Sequence, residues 1–375
     1  MAVEVPIRIL HVFRQLNLGG AESRTMDIYR RIDRNKIQFD FAVHTQEEGC
    51  YDAEVERLGG LILSFPMYKI YNGRGYKKYW HQFLMEHSEY EVIHIHTTSI
   101  AKPILFVTHK RKLPVVITHS RNAKQTGLLK NMYIKLSKRT IRSKSTHMLA
   151  VSDKAARYIY SSKLVSRRQV QIVKNGIDAL KFKFSEFERR KVRKSFSFNG
   201  ETIIGHVGRF VKQKNHKFLL KIFKDYKILD PSAKLILIGI GPLQERVKAQ
   251  VREVGLDKDV LFLGLRKDVK ELMQGMDLLL FPSLFEGLPG VVLESQAAGL
   301  PALVSSEISN EIKITNLVEM LELEKSSIEW AKKMKVMLET LPRRNTYDEL
   351  LESGNDVLAV AQWYDSFYSN ALQKL

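Results

Sequence analysis

Continuous apolar runs recur along the chain, each followed by a polar or glycine-containing turn and then by a segment long enough for a helix. Ile7 to Phe13, Phe39 to His44, Leu61 to Phe65, Val92 to His96, Val115 to His119, Met148 to Val151 and Val170 to Val173 read as one series of strands. Thr202 to Gly208, Lys234 to Gly239, Val260 to Leu263, Leu278 to Phe281 and Ala302 to Val304 read as a second. Runs without alternation suit strands covered on both faces, and their spacing suits β/α/β units with parallel sheets. Ala179 to Asn199 is charged, dotted with phenylalanine and poor in β-branched residues, which predicts a linker plus a helix between two domains. The expected division is 1–180 and 181–356, with a last helix, Val357 to Leu372, presenting Leu358, Ala361, Tyr364, Phe367 and Leu372 on one face.

Candidate chemistry gathers where these strands end, because doubly wound sheets bind ligands at the carboxyl ends of their strands. After Phe281, the residues Pro282, Gly287, Pro289 and Gly290 forbid regular structure until about Val291, where a helix of small residues begins. The first N–H groups of that helix have no internal partner and lie at its positive end, so Leu288, Pro289, Gly290 and Val291 outline a phosphate site. Glu286 and Glu294 flank it. Arg209 and Lys214 follow the first strand of the second series and suit a diphosphate, one as a planar fork and the other as a point charge. Gly19 and Gly20 follow the first strand of all, where backbone can approach a ligand closely. His119 sits at a strand end, whereas His94 and His96 share one strand face with no third metal ligand evident nearby, so no metal is assigned to them.

The stretch F-E-G-x-P-x-x-x-x-E-x-x-A-x-G-x-P, with Glu286 and Glu294 as its two glutamates, resembles the signature of retaining family 4 glycosyltransferases. That resemblance runs from Gly19 to the second glutamate. It implies the GT-B fold, two Rossmann-like doubly wound domains facing a central cleft, with an acceptor-binding first domain, a donor-binding second domain and a last helix, 357–375, that packs back on the first. It further implies that Gly19 and Gly20 contact donor phosphates or acceptor, that His119 contacts the donor sugar, and that Arg209 and Lys214 neutralise the leaving diphosphate. Glu286 would hold sugar hydroxyls and Glu294 the ribose. Gly239-Ile-Gly-Pro242 resembles the family's G-x-G-P turn, and backbone groups near Arg266 would read the nucleobase. Ser305 to Ser309 replaces the usual glycine pair after its strand and is similar to the exopolysaccharide and capsule branch. The implied reaction takes a sugar from a nucleotide donor, UDP-linked, to a lipid-linked or growing glycan acceptor without cofactor or metal. A GT-B sugar-nucleotide epimerase is the alternative that shares the donor site.

Composition adds limits and one surface. With 375 residues, 44% hydrophobic and 27% charged, the chain can form two cores of ordinary size, and its single cysteine, Cys50, permits no internal disulfide. No run reaches the roughly 18 apolar residues of a membrane span, and no signal-peptide pattern precedes Ile7, so a cytoplasmic location is expected. The net charge of +19 is concentrated, because no Asp or Glu occurs between Glu91 and Asp153. Gly127 to Arg142 within that interval reads as a basic amphipathic helix, with Leu129, Met132, Leu136 and Thr140 near helical spacing and Lys130, Lys135, Lys138, Arg139 and Arg142 around them, suited to the anionic inner face of a membrane. Nucleic acid is a poorer partner, since the interval lacks stacking platforms and helix-turn-helix or zinc spacing. The third glycine of a dinucleotide fingerprint is also missing after Gly239-Ile-Gly241, which disfavours NAD.

Overall fold

The computed structural model describes residues 5–122 and 128–373. Its contacts divide the chain into two units, one of residues up to Gly176 together with the segment from Val357, the other Ile177–Asp356.

In the first unit the apolar runs become β1 (Ile7–Val12), β2 (Ile37–Val43), β3 (Ile62–Ser64), β4 (Val92–Ile95), β5 (Val115–Ser120), β6 (His147–Ala150) and β7 (Gln171–Ile172). They form one parallel sheet in the order β3-β2-β1-β4-β5-β6-β7. Every residue of β2 is buried, as a strand covered on both faces requires. The order reverses at β1 and β4, whose registers place His11 opposite His94. The helix Val357–Gln373 completes this core with Val360, Ala361, Tyr364, Tyr368 and Ala371. Their spacing of three and four residues makes one helical stripe. It is rotated from the stripe expected from sequence, since Leu358 is 57% exposed and Phe367 and Leu372 only flank the core. Counting apolar residues overweighted Leu358, while the buried stripe includes the hydroxyl-bearing Tyr368.

The second unit holds β8 (Ile203–Val207), β9 (Lys234–Ile238), β10 (Val260–Gly264), β11 (Leu278–Phe281), β12 (Ala302–Ser305) and β13 (Val318–Leu321). Their order is β10-β9-β8-β11-β12-β13, again parallel, with the switch point between β8 and β11. The sequence reading missed β13. Its four residues, Val-Glu-Met-Leu, lie at the sheet edge with three only partly buried, so no continuous apolar run marks them. The helix Glu186–Ser195, within the stretch expected to hold a linker helix, is fastened by Arg189 and Arg193, which both reach Asp277 just before β11. Asp277 also accepts the backbone N–H of Ile203 at 2.7 Å, so one carboxylate ties this helix to the starts of the two switch-point strands.

Candidate active site

In the second unit, β11 runs out at Phe281 and the chain turns through Gly287 before the helix Gly290–Ala297. Pro289 caps that helix in extended backbone, and the N–H groups of Gly290 and Val291 donate to no carbonyl among the described residues. A second loop docks on this turn. Leu284 donates its N–H to the Gln213 carbonyl at 2.8 Å, the Gln213 amide donates to the Phe285 carbonyl at 3.0 Å, and the Asn215 amide donates to the Pro282 carbonyl at 3.1 Å. Asn215 adopts φ 55, a left-handed conformation that asparagine tolerates better than most residues. These bonds bring together two residues far apart in sequence: Lys214 Nζ lies 2.7 Å from Glu286 Oε1, with the side chains only 15% and 10% exposed. The ammonium also sits 4.3 Å over the Phe281 ring. A lysine this enclosed needs a counter-charge, and Glu286 supplies it.

Gly239 leaves β9 at φ 134, and a Cβ there would stand 2.3 Å from the Gly208 carbonyl oxygen, so glycine is required on both counts. Phe210 N–H donates to the Ile240 carbonyl at 3.1 Å, which fastens this turn to the segment carrying Arg209. The Arg209 guanidinium is exposed and makes no hydrogen bond or ion pair among the described residues. Arg266 differs, because its fork already closes on Asp268 at 2.7 and 2.5 Å and holds that carboxyl below its usual range. Glu294 is half-buried on the helix behind Gly290. Three groups at these strand ends escaped the sequence reading. His206 donates Nδ1–H to the Leu280 carbonyl at 2.9 Å, which leaves its Nε2 bare, and that atom, both nitrogens of His216 and the Ser283 hydroxyl are buried without a hydrogen-bond partner among the described residues. Burial lowers both rings, His216 to about 4.

The first unit carries the remaining candidates. Gly19 caps the helix Gly20–Tyr29, and the Glu22 carboxylate lies over it, 2.3 Å from where a Cβ would stand; Gly20 faces open space. His119, at the end of β5, is 1% exposed, with Nδ1 3.2 Å from His94 Nε2 and no partner at Nε2 among the described residues. The expectation that no third nitrogen ligand lies near His94 and His96 is wrong. His11, 83 positions earlier than His94 but beside it across β1 and β4, brings three ring nitrogens within 4.8 Å of one another. Their hydrogen bonds describe a network rather than an open ligand set. Arg121 donates Nε–H to His96 Nδ1 at 3.0 Å, so the His96 proton is on Nε2 and points to His11 Nδ1 at 2.9 Å. A protonated nitrogen has no lone pair for a metal, and the neighbouring guanidinium adds repulsion. Burial holds all four rings well below the ordinary histidine range.

Comparison with known proteins matches residues 187–349 to the family described as Glycosyl transferases group 1 and residues 18–179 to Glycosyltransferase Family 4. EpsF of Bacillus subtilis (strain 168), named for glycosyltransferase activity, is 32% identical over 330 residues, covering 86% of each chain. This chain belongs to glycosyltransferase family 4. Among other relatives of this glycosyltransferase, the capsular polysaccharide biosynthesis glycosyltransferase CapH of Staphylococcus aureus is 26% identical over 88% of this chain and 91% of its own. A UDP-Gal:alpha-D-GlcNAc-diphosphoundecaprenol alpha-1,3-galactosyltransferase of Escherichia coli is 24% identical over 66% and 65%. HepE of Anabaena, solved in complex with UDP-glucose, superposes with a TM-score of 0.80 at 17% identity, covering 97% of this chain and 99% of its own. The fold of the family 4 enzyme is therefore GT-B. Its signature glutamate Glu286 and the lysine of its G-R-x-x-x-x-K element meet directly in the ion pair described above.

Proposed function

We propose that this glycosyltransferase moves a sugar, with retention of its anomeric configuration, from a UDP-linked donor to a lipid-linked or growing glycan acceptor in exopolysaccharide or capsule assembly. The enclosed Lys214–Glu286 pair, on the turn that leads into Gly290 and Val291, whose N–H groups donate to no carbonyl among the described residues, carries the reading. A diphosphate entering there meets an ammonium, two backbone donors and the uncommitted guanidinium of Arg209. Lys214 then exchanges Glu286 for phosphate, and the released carboxylate is left to hold sugar hydroxyls. The same donors stabilise the charge that grows on the diphosphate as the sugar departs, which lowers the barrier. Because two cations meet that charge, no divalent metal is required. Glu294 holds the ribose, backbone near Gly239 and Arg266 borders the base, and His119 meets the donor sugar. A carboxylate over Gly19 suits acceptor hydroxyls better than phosphate.

Relatives support the finer assignments: one is named for transfer from UDP-Gal to a diphosphoundecaprenol-linked sugar, and HepE was solved with UDP-glucose bound. The acceptor's lipid anchor gives the exposed apolar and basic groups of the first unit a use, at the anionic inner face of the cytoplasmic membrane. No helix of the described residues is long and apolar enough to cross a membrane. The test is a panel of nucleotide sugars offered with polyprenyl-diphosphate-linked acceptors, read by mass spectrometry and by NMR of the new anomeric centre, with and without EDTA. An extended, configuration-retaining product formed equally well in chelator is expected. Turnover of the nucleotide sugar to an isomer without any acceptor would replace the proposal with epimerase chemistry, and activity lost in EDTA but restored by manganese would reveal a metal requirement.

A further inference from the structure

A buried hydrogen-bond chain leads from the last helix to His119, and its direction follows from what each atom can donate. Tyr368 is fully buried, and burial pushes its phenol well above the ordinary range, so it remains a neutral O–H. Its oxygen lies 2.7 Å from His94 Nδ1, its one hydrogen-bond partner among the described residues. Were Tyr368 the acceptor, its own proton would be buried without a partner, an arrangement that folded proteins avoid. Tyr368 therefore donates, and His94 Nδ1 is bare. A neutral imidazole has one N–H, so the His94 proton is on Nε2 and faces His119 Nδ1 at 3.2 Å. His119 accepts there, and its own proton must be on Nε2, the buried nitrogen that has no partner among the described residues. The reverse direction would strand two groups, the phenol proton and a bare His119 Nε2, where the forward direction leaves one.

The neighbouring chain has the same polarity for an independent reason. Arg121 can only donate, so its bond to His96 Nδ1 sets His96 as a donor to His11 Nδ1 and puts the His11 proton on Nε2. We propose that Tyr368 and His94 are positioning residues that hold His119 with its proton on Nε2, making it a hydrogen-bond donor to the sugar-transfer site and barring it from acting as a base. This rests on the reading that His119 meets the donor sugar. The acceptor proton must then go elsewhere, to an oxygen of the departing diphosphate, as the bond from the anomeric carbon to phosphate breaks and the bond to the acceptor oxygen forms.

Tyr368→Phe deletes the donor and keeps the ring that stacks on Tyr364 at 5.4 Å and meets Phe39 edge-on at 5.9 Å. Two-bond proton–nitrogen NMR of histidine-labelled protein, with His119 assigned through His119→Asn, reads each tautomer directly. The wild type should show the His119 proton on Nε2, and Tyr368→Phe a mixture of both tautomers. With the donor and acceptor above, the variant's kcat should fall about tenfold while the KM for nucleotide sugar stays within about twofold, the signature of a group acting in the transition state. A wild-type His119 protonated on Nδ1, or an unchanged tautomer in Tyr368→Phe, overturns the proposal. A shifted tautomer with unaltered kcat instead removes His119 from the reaction and overturns the functional reading beneath it, while the direction of the hydrogen bonds stands.

Discussion

At Lys214 one ammonium pairs with Glu286 and is also the cation proposed to meet the diphosphate, and the two roles can be separated. Lys214→Ala leaves the Glu286 carboxylate enclosed without its counter-charge, which should cost up to about 3 kcal/mol and lower the melting temperature. Combining it with Glu286→Gln should recover most of that loss without recovering turnover, as a double-mutant cycle would read. Arg209 is exposed and unpaired among the described residues, so Arg209→Ala should melt like the wild type yet lose about 100-fold in kcat. Wild-type turnover in that folded variant would remove Arg209 from the diphosphate site. These residues were legible because each lies in a short contiguous motif, G-R-x-x-x-x-K or F-E-G-x-P. Their pairing was not, since Lys214 and Glu286 stand 72 positions apart and meet only because two loops are stitched together.

The helix Leu128–Lys144 shows what a pattern can and cannot say about an element. Its packing face is Ile134, Ser137 and Ile141, whereas Met132 and Leu136, at 54% and 65%, are exposed beside Lys135 and Arg139. The stripe read from sequence through Leu129, Met132, Leu136 and Thr140 is thus the outer one at Met132 and Leu136; the side chains of Leu129 and Lys130, and Gly127 itself, lie outside the described residues. Two of the expected membrane cations are otherwise engaged, since Arg142 donates to the Ile159 carbonyl at 3.2 Å and Lys138 lies 4.3 Å over the Tyr158 ring. Lys135 and Arg139 are the cleaner probes. With about 1 kcal/mol per cation near an anionic surface, Lys135→Glu with Arg139→Glu should weaken co-sedimentation with anionic liposomes more than tenfold at low salt, and high salt should erase the difference. Met132→Ser with Leu136→Ser should weaken it in both salts. Equal sedimentation of all variants would return this face to ordinary solvated surface.

For the whole molecule, buried histidines set the response to acid. Burial lowers the pKa of His11, His44, His94, His96 and His119 in the first unit and of His206 and His216 in the second. Below about 6.5 the unfolded chain binds protons that these rings refuse when folded, so stability is lost as pH falls through that range. With five such rings against two, the first unit should lose stability more steeply; urea titrations between about pH 7.5 and pH 5.5, followed by hydrogen exchange, would resolve the two. A midpoint that does not move over that range would mean that the rings are charged in the native state. The sequence alone determined the doubly wound class, because runs of buried strand residues and their spacing are local properties of the chain. It also determined the glycine and proline turns at the strand ends, where backbone geometry itself dictates residue type, as at Gly239. Tertiary structure alone decided which neighbours those strands acquire: Tyr368 reaches His94 across 274 positions and His11 meets His94 across β1 and β4. The physical reason is that a strand's periodicity names the face of each side chain, whereas its contacts depend on strand order and register, which the folded sheet sets.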